Sequence, residues 1–212
     1  MPPQKNRSKK NTSTPGKRQR NPVATRQAIL DSARLAFTKY GYDGAGVRTI
    51  AENAGVTAML VKHYFGSKEQ LFEEVVEETL AMHGLLRAAW QNEEHNAEAL
   101  GRDMARELMA TSNSGITPDG TVILLRSVGN EQAARILREK AIRYLEPITG
   151  NAPGKTPEIN AALCLALISG YKLMRQVIKL PALEKENTEE LANILSKLFT
   201  ILNEQKTSDA PD

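Results

Sequence analysis

A single cysteine, Cys164, excludes any disulfide within this 212-residue chain. It sits in the run ALCLALISG with no cation beside it to lower its pKa, so it reads as a small apolar core residue of a reducing cytosol. No window approaches the roughly 18 uninterrupted apolar residues of a membrane span, so no membrane partner is expected. The chain has no G-x-S-x-G, no H-E-x-x-H, no C-x-x-C and no glycine-rich phosphate loop after a strand. Its three histidines are His63, His83 and His95. The last two lie far apart near Glu93 and Glu94, where a solvated pair is a simpler account than a metal site. These absences point away from an enzyme, a metal or a resident cofactor. Alternating β patterns and internal repeats are missing too, which leaves an all-α chain with room for two modest domains.

What is present is sorted along the chain. Residues 1–68 carry thirteen Lys or Arg against only Asp31, Asp43 and Glu52, for a net charge of +10. Residues 69–212 carry fifteen cations against twenty-two acids, for −7. Such asymmetry suggests one end facing nucleic acid on an otherwise acidic body. The first twenty residues hold seven cations, no acid and no apolar face, so residues 1–21 are expected to be a disordered basic tail. No apolar stretch follows the cations, so the tail does not read as a secretory signal. It is either a solvated leader or an arm that adds phosphate contacts or enters a minor groove.

The stretch 46–65, GVRTIAENAGVTAMLVKHYF, carries the sharpest pattern. Val47, Ile50, Ala51 and Ala54 fall at i, i+3, i+4 and i+7, the spacing of a helix with one apolar face. Gly55 ends that face where the chain must turn sharply, and Thr57 is placed to cap a second short helix. That helix buries Val56, Val61 and Phe65 and presents Ala58, Met59, Lys62 and His63. Two short helices about a glycine turn form the unit that lays its second helix in the major groove of DNA.

From Thr25 to Phe72 the chain resembles the DNA-binding domain of the TetR family of regulators. The resemblance is carried by Thr25, Arg26, Ile29, Leu30, Ala33, Phe37, Gly41, Tyr42, Ile50, Ala51, Ala54, Gly55, Val56, Phe65, Ser67, Lys68 and Leu71. Three positions depart from the family pattern. Gly46 stands where a capping Ser or Thr is usual, Lys62 where a tyrosine is, and Tyr64 where a histidine is. The DNA-contacting set implied for this chain is Thr25 and Arg26 in the first helix, Arg48 and Thr49 in the second, Thr57, Ala58, Met59, Lys62, His63 and Tyr64 along the reading helix, and Lys68 at the fourth. Lys62 and His63 can donate to phosphates or purine edges, and Met59 can touch a thymine methyl.

Capping and apolar spacing predict roughly nine helices. The first runs from Asn21–Pro22 to Tyr40, with Ile29, Ala33, Phe37 and Tyr40 inside. After the reading helix, Ser67 opens a long helix with Leu71, Val75, Met82, Leu86 and Trp90 on one face and Glu73, Glu74, Glu77 and Glu78 outward. Helices follow over 98–111, 117–128, from Asn130 to a stop before Pro147, from Thr156 to about Lys179, and from Thr188 to about Leu202. The expected division is a DNA-binding domain over 22–68, a helical effector-binding and dimerisation domain over 69–205, and a flexible tail over 206–212.

The resemblance implies a small-molecule effector in the second domain. Met82, Leu86, Trp90, Met104, Leu108, Leu124, Tyr144, Met174 and Arg175 are expected near it, with Tyr144 or Arg175 orienting a polar group. It also implies a homodimer. The segment Ala161–Leu173, apolar nearly all round, is either the centre of a core or a dimer face. For the dimer the expected residues are Ala162, Ala166, Ser169, Leu191, Leu195 and Leu198. The function implied is a cytoplasmic, bacterial, nucleoid-associated repressor that binds a palindromic double-stranded operator and is released by its effector. Two other readings stay open: a DNA-binding protein without an effector, and a helical scaffold whose basic tail binds nucleic acid or acidic partners.

Overall fold

The computed structural model describes residues 21–82, 97–113, 119–149, 156–184 and 188–203. The basic tail 1–20, the side chain of Met82, Leu86, Trp90, His83, His95 and the tail from 206 lie outside the described residues. Among those residues there are ten α-helices and no strand. In chain order they are α1 (Pro22–Gly44), α2 (Val47–Asn53), α3 (Ala58–Phe65), α4 (Lys68–Met82), α5 (Ala97–Asn113), α6 (Asp119–Ser127), α7 (Glu131–Thr149), α8 (Pro157–Lys172), α9 (Pro181–Glu184) and α10 (Thr188–Asn203). The all-α expectation holds, and the helix beyond the expected nine is the single turn α9.

Local chemistry sets most of the boundaries. The Asn21 side chain accepts from the Val23 amide at 3.1 Å, and Pro22 fills the first helical position of α1. α1 does not stop at Tyr40. It kinks at Gly41 (φ 68°, ψ −176°) and continues to Gly44. Past the kink Tyr42 enters the core, while Tyr40, expected inside, is half exposed. Gly41 is required twice over. Its backbone is in a region that disfavours side chains, and a Cβ there would lie 2.4 Å from the carbonyl oxygen of Arg126 in α6.

Three later expectations need correction. α7 passes through Pro147 to Thr149, although the proline lacks the N–H for one helical hydrogen bond. α8 is not α-helical to Lys179: it widens into a π turn over Leu173–Val177, and Lys179 takes φ 56° before Pro181 opens α9. Glu73 and Glu77 do not simply face out, since both meet the Lys140 ammonium of α7, at 3.5 and 3.0 Å.

The core has two centres. The first gathers α1, α2, α3 and α4 around Phe37, Tyr42 and Phe72, and takes in Ile123 of α6 and Ala133 and Ile136 of α7. Phe72 meets both Phe37 and Tyr42 edge-on with ring centroids 4.9 Å apart, the arrangement that ring quadrupoles favour. The second packs α5 against α10 and α8 through Met104, Leu108, Cys164, Ile168, Leu195 and Phe199. A polar clasp ties the end of α1 to the turn between α6 and α7. The Tyr42 amide donates to the Ser127 hydroxyl at 3.0 Å, the Asn130 side chain donates to Asp43 at 2.8 Å, and Arg126 donates to the Lys39 carbonyl.

Candidate DNA-binding surface and adjoining cavity

α2 and α3 meet about Gly55, which takes φ 66°, and Thr57 accepts the Leu60 amide at 3.3 Å as the cap of α3. Gly46 begins α2 without a side-chain cap. Val61 and Phe65 anchor α3 in the first core, which leaves Met59, Lys62 and His63 outward at i, i+3 and i+4. Met59 is 82% exposed, a large apolar side chain that the described residues leave uncovered. Arg48, Thr49 and Thr57 are exposed as well. Thr25, Ala58 and Tyr64 are half buried, and the Thr25 hydroxyl donates to the Asn21 carbonyl at 3.1 Å.

Two residues expected to reach for phosphate are engaged within the protein. Arg26 forms an ion pair with Glu74 of α4 and lies over the Phe65 ring, 4.9 Å from its centroid. Lys68 sits over the Tyr42 ring at 4.7 Å and donates to the Asp43 carbonyl at 3.4 Å. Burial lowers its pKa, against the pull of Asp43 and Glu69. Both cations brace the surface from behind. Their partners are distant in sequence, so spacing within the motif gave no sign of them.

A cavity of about 420 Å³ opens behind this surface, walled by four helices. α4 supplies Val76, Thr79 and Leu80; α6 supplies Gly120, Thr121, Ile123 and Leu124. α7 adds Leu137, Arg138, Ala141, Ile142 and Leu145, and α8 adds Ala162, Leu165, Ala166, Ile168, Ser169 and Lys172. Of the pocket residues expected from sequence, Leu124 lines it. Met104 and Leu108 instead fill the second core, and Tyr144 packs against that core. Met174 is exposed, and Arg175 donates to the Leu183 carbonyl across the turn that follows α8. The missed wall on α7 has a visible trace, Leu137, Ala141 and Leu145 at four-residue intervals.

A sequence profile described as bacterial regulatory proteins of the tetR family matches residues 29–75, and one described as a tetracyclin repressor-like C-terminal domain matches 98–201. The chain belongs to the TetR family. It is 43% identical over 60 residues to the HTH-type transcriptional repressor AcnR of Corynebacterium efficiens, covering 28% of this chain and 32% of that protein. It is 40% identical over 67 residues to the transcriptional regulator RutR of Escherichia coli, covering 32% of each. The matched stretch thus spans about a third of the length of these relatives. A crystal structure of a TetR-family regulator from Streptomyces coelicolor aligns with a TM-score of 0.63 at 26% identity, over 88% of this chain and 98% of that one. In this TetR-family chain the first matched region holds α2, α3 and most of α4, and the second holds three of the four cavity walls.

The last two long helices carry apolar strips on their outer sides. On α8, Ile159 and Leu163 are exposed, beside Ala162 and Ala166, which are exposed but also line the cavity; on α10, Ile194, Leu198 and Ile201 are exposed. Ala162, Ala166 and Leu198 of the expected dimer set fall on these strips, with Ser169 and Leu191 half buried. Leu195 is a correction: it is buried in the second core of its own chain. Ile159, Leu163, Ile194 and Ile201 were not singled out from sequence, although α10 shows two apolar stripes rather than one. No helix among the described residues is long and apolar enough to cross a membrane.

Proposed function

We propose that this chain is a transcriptional regulator that binds a two-fold symmetric DNA site as a homodimer and leaves it when a small molecule fills the cavity. The outward side of α3 carries the reading: Met59, Lys62 and His63 stand clear of a helix whose other side is fixed by Val61 and Phe65. A rigid amphipathic rod with a cationic, uncovered side suits the major groove, where donors meet purine edges and an apolar group meets a thymine methyl. Two such rods about 34–36 Å apart would read half-sites one helical turn apart. The strips on α8 and α10 offer the symmetric contact that a dimer needs.

The supporting connection between sites is short. α4 and α6 both wall the cavity, while Lys68 and Glu69 at the start of α4, and Arg126 and Ser127 at the end of α6, grip the end of α1. An occupant that parts α4 from α6 therefore pushes on the base of the reading surface. On this reading 22–68 is the DNA-binding part, and 69–205 the effector-binding and dimerising part. Nuclease footprinting is the test: two protected half-sites related by a two-fold axis are expected, and protection independent of sequence would sink the proposal. Linkage adds a second check, because an effector that lowers DNA affinity must bind less tightly, by the same factor, when DNA is present. For the dimer, Leu163→Glu should give a monomer in sedimentation while leaving the helical content intact.

A further inference from the structure

The cavity has an unusual charge pattern for so apolar a site. Lys172, at the end of α8, is among its lining residues and is only 6% exposed. No carboxylate lies within ion-pairing distance of its amine among the described residues; Glu107, exposed on α5, acts on it only through space. Burial holds the amine below its usual pKa, so its charge is poorly compensated where it stands. Ser169 lies three residues earlier on α8 and also lines the cavity, so a hydroxyl-bearing and an amine-bearing side chain share that wall. Arg138, exposed on α7, adds a second cation at the rim. No Asp or Glu lines the cavity among the described residues.

We propose that the cavity takes a monocarboxylic acid with a compact apolar body, its carboxylate seated on Lys172 and Ser169 and its body against α4, α6 and α7. The inference rests on the effector reading above and narrows it to one chemical class. A cationic ligand meets two like charges and no acid. A neutral one leaves the buried ammonium with only the through-space pull of Glu107 among the described residues, which is costly in a low-dielectric site. A phosphate monoester brings close to two negative charges to a single buried cation. One carboxylate balances one lysine and accepts from both donors. At about 420 Å³ the cavity lies toward the small end of the roughly 300–1,000 Å³ range of ligand sites, which favours a compact body.

Calorimetric titration of the full chain, without DNA, tests this. The probes are decanoate and phenylbutyrate, their alcohols decanol and phenylbutanol, and decyltrimethylammonium. At least one carboxylate is expected to bind roughly tenfold or more tighter than its alcohol and than the ammonium probe. Lys172→Met should erase that preference while leaving alcohol binding unchanged, and Lys172→Arg should restore part of it. Retained alcohol binding shows that the Met variant is folded around an intact cavity. Failure of both carboxylates, equal binding of acid and alcohol, or an unchanged preference in Lys172→Met overturns the inference. A chain that binds decanoate through Lys172 yet gives no footprint refutes the regulator and leaves the ligand class standing.

Discussion

The outward side of α3 and the cavity behind it are both surfaces that the chain leaves unfilled, yet they are built in opposite ways. The α3 side comes from one eight-residue helix, stays in water and keeps its cations solvated. The cavity needs side chains from four helices spread over nearly a hundred residues, and it holds one cation almost out of water. A contact surface for a polyanion can be local because phosphate attraction acts through solvent. A site for a small molecule must enclose it, so it has to be assembled from afar.

Five substitutions would break or sharpen this contrast, from the largest effect to the smallest. Phe72→Ala removes the ring at the centre of the first core and should cost about 3–5 kcal/mol, while Met59→Ala on the open side of α3 should leave stability within about 0.5 kcal/mol. Thermal melting of the pair separates supporting from contacting residues; equal losses would mean that Met59 is covered. Gly41→Ala should cost about 1–3 kcal/mol, since it strains the backbone and drives a methyl into the Arg126 carbonyl. An unchanged melting temperature would show that α6 does not rest on α1 in solution.

Lys62→Ala should weaken binding to all DNA alike, and reduce the salt dependence by about one phosphate contact, if its amine meets the backbone. If instead one base position relaxes, Lys62 reads an edge and the surface is more specific than a phosphate grip. Tyr42→Phe should cost about 1 kcal/mol by removing the hydroxyl that donates to Glu69 at 3.1 Å. Burial, then that bond and the Glu69 charge, raise the Tyr42 pKa from 10.0 to about 12. The folded phenol therefore titrates above the unfolded one. Its stabilising contribution is complete below pH 10 and is lost as pH rises from 10 toward 12. Alkaline melting of Tyr42→Phe should lack that step, and an identical alkaline profile would count against the assignment.

This same contrast explains what could be read before the structure. Val47, Ile50, Ala51, Gly55, Thr57, Val61 and Phe65 act on neighbours within a turn or two, so spacing was enough to find α2, the turn and α3. Tyr42 was missed as a core residue because Gly41, at positive φ, breaks the helical period just before it, and it is Tyr42 rather than Tyr40 that is buried. Arg26 and Lys68 carry the right charge for DNA, but Glu74, Phe65, Tyr42 and Asp43 claim them across the fold. Met104 and Leu108 looked like pocket residues because an apolar stripe says that something covers it, not what; here it is α10. Lys172, a cation closing the most apolar helix, was a further local hint of the cavity and was passed over.

The brevity of α6 has a mechanical consequence. Leu124 and Ser127 are three residues apart, so about 4.5 Å of helix separates the wall of one site from the clasp beneath the other. Over so short a strut, bending can absorb almost nothing. A push at one end has to come out at the other as movement of Tyr42, or else tear the Ser127 bond.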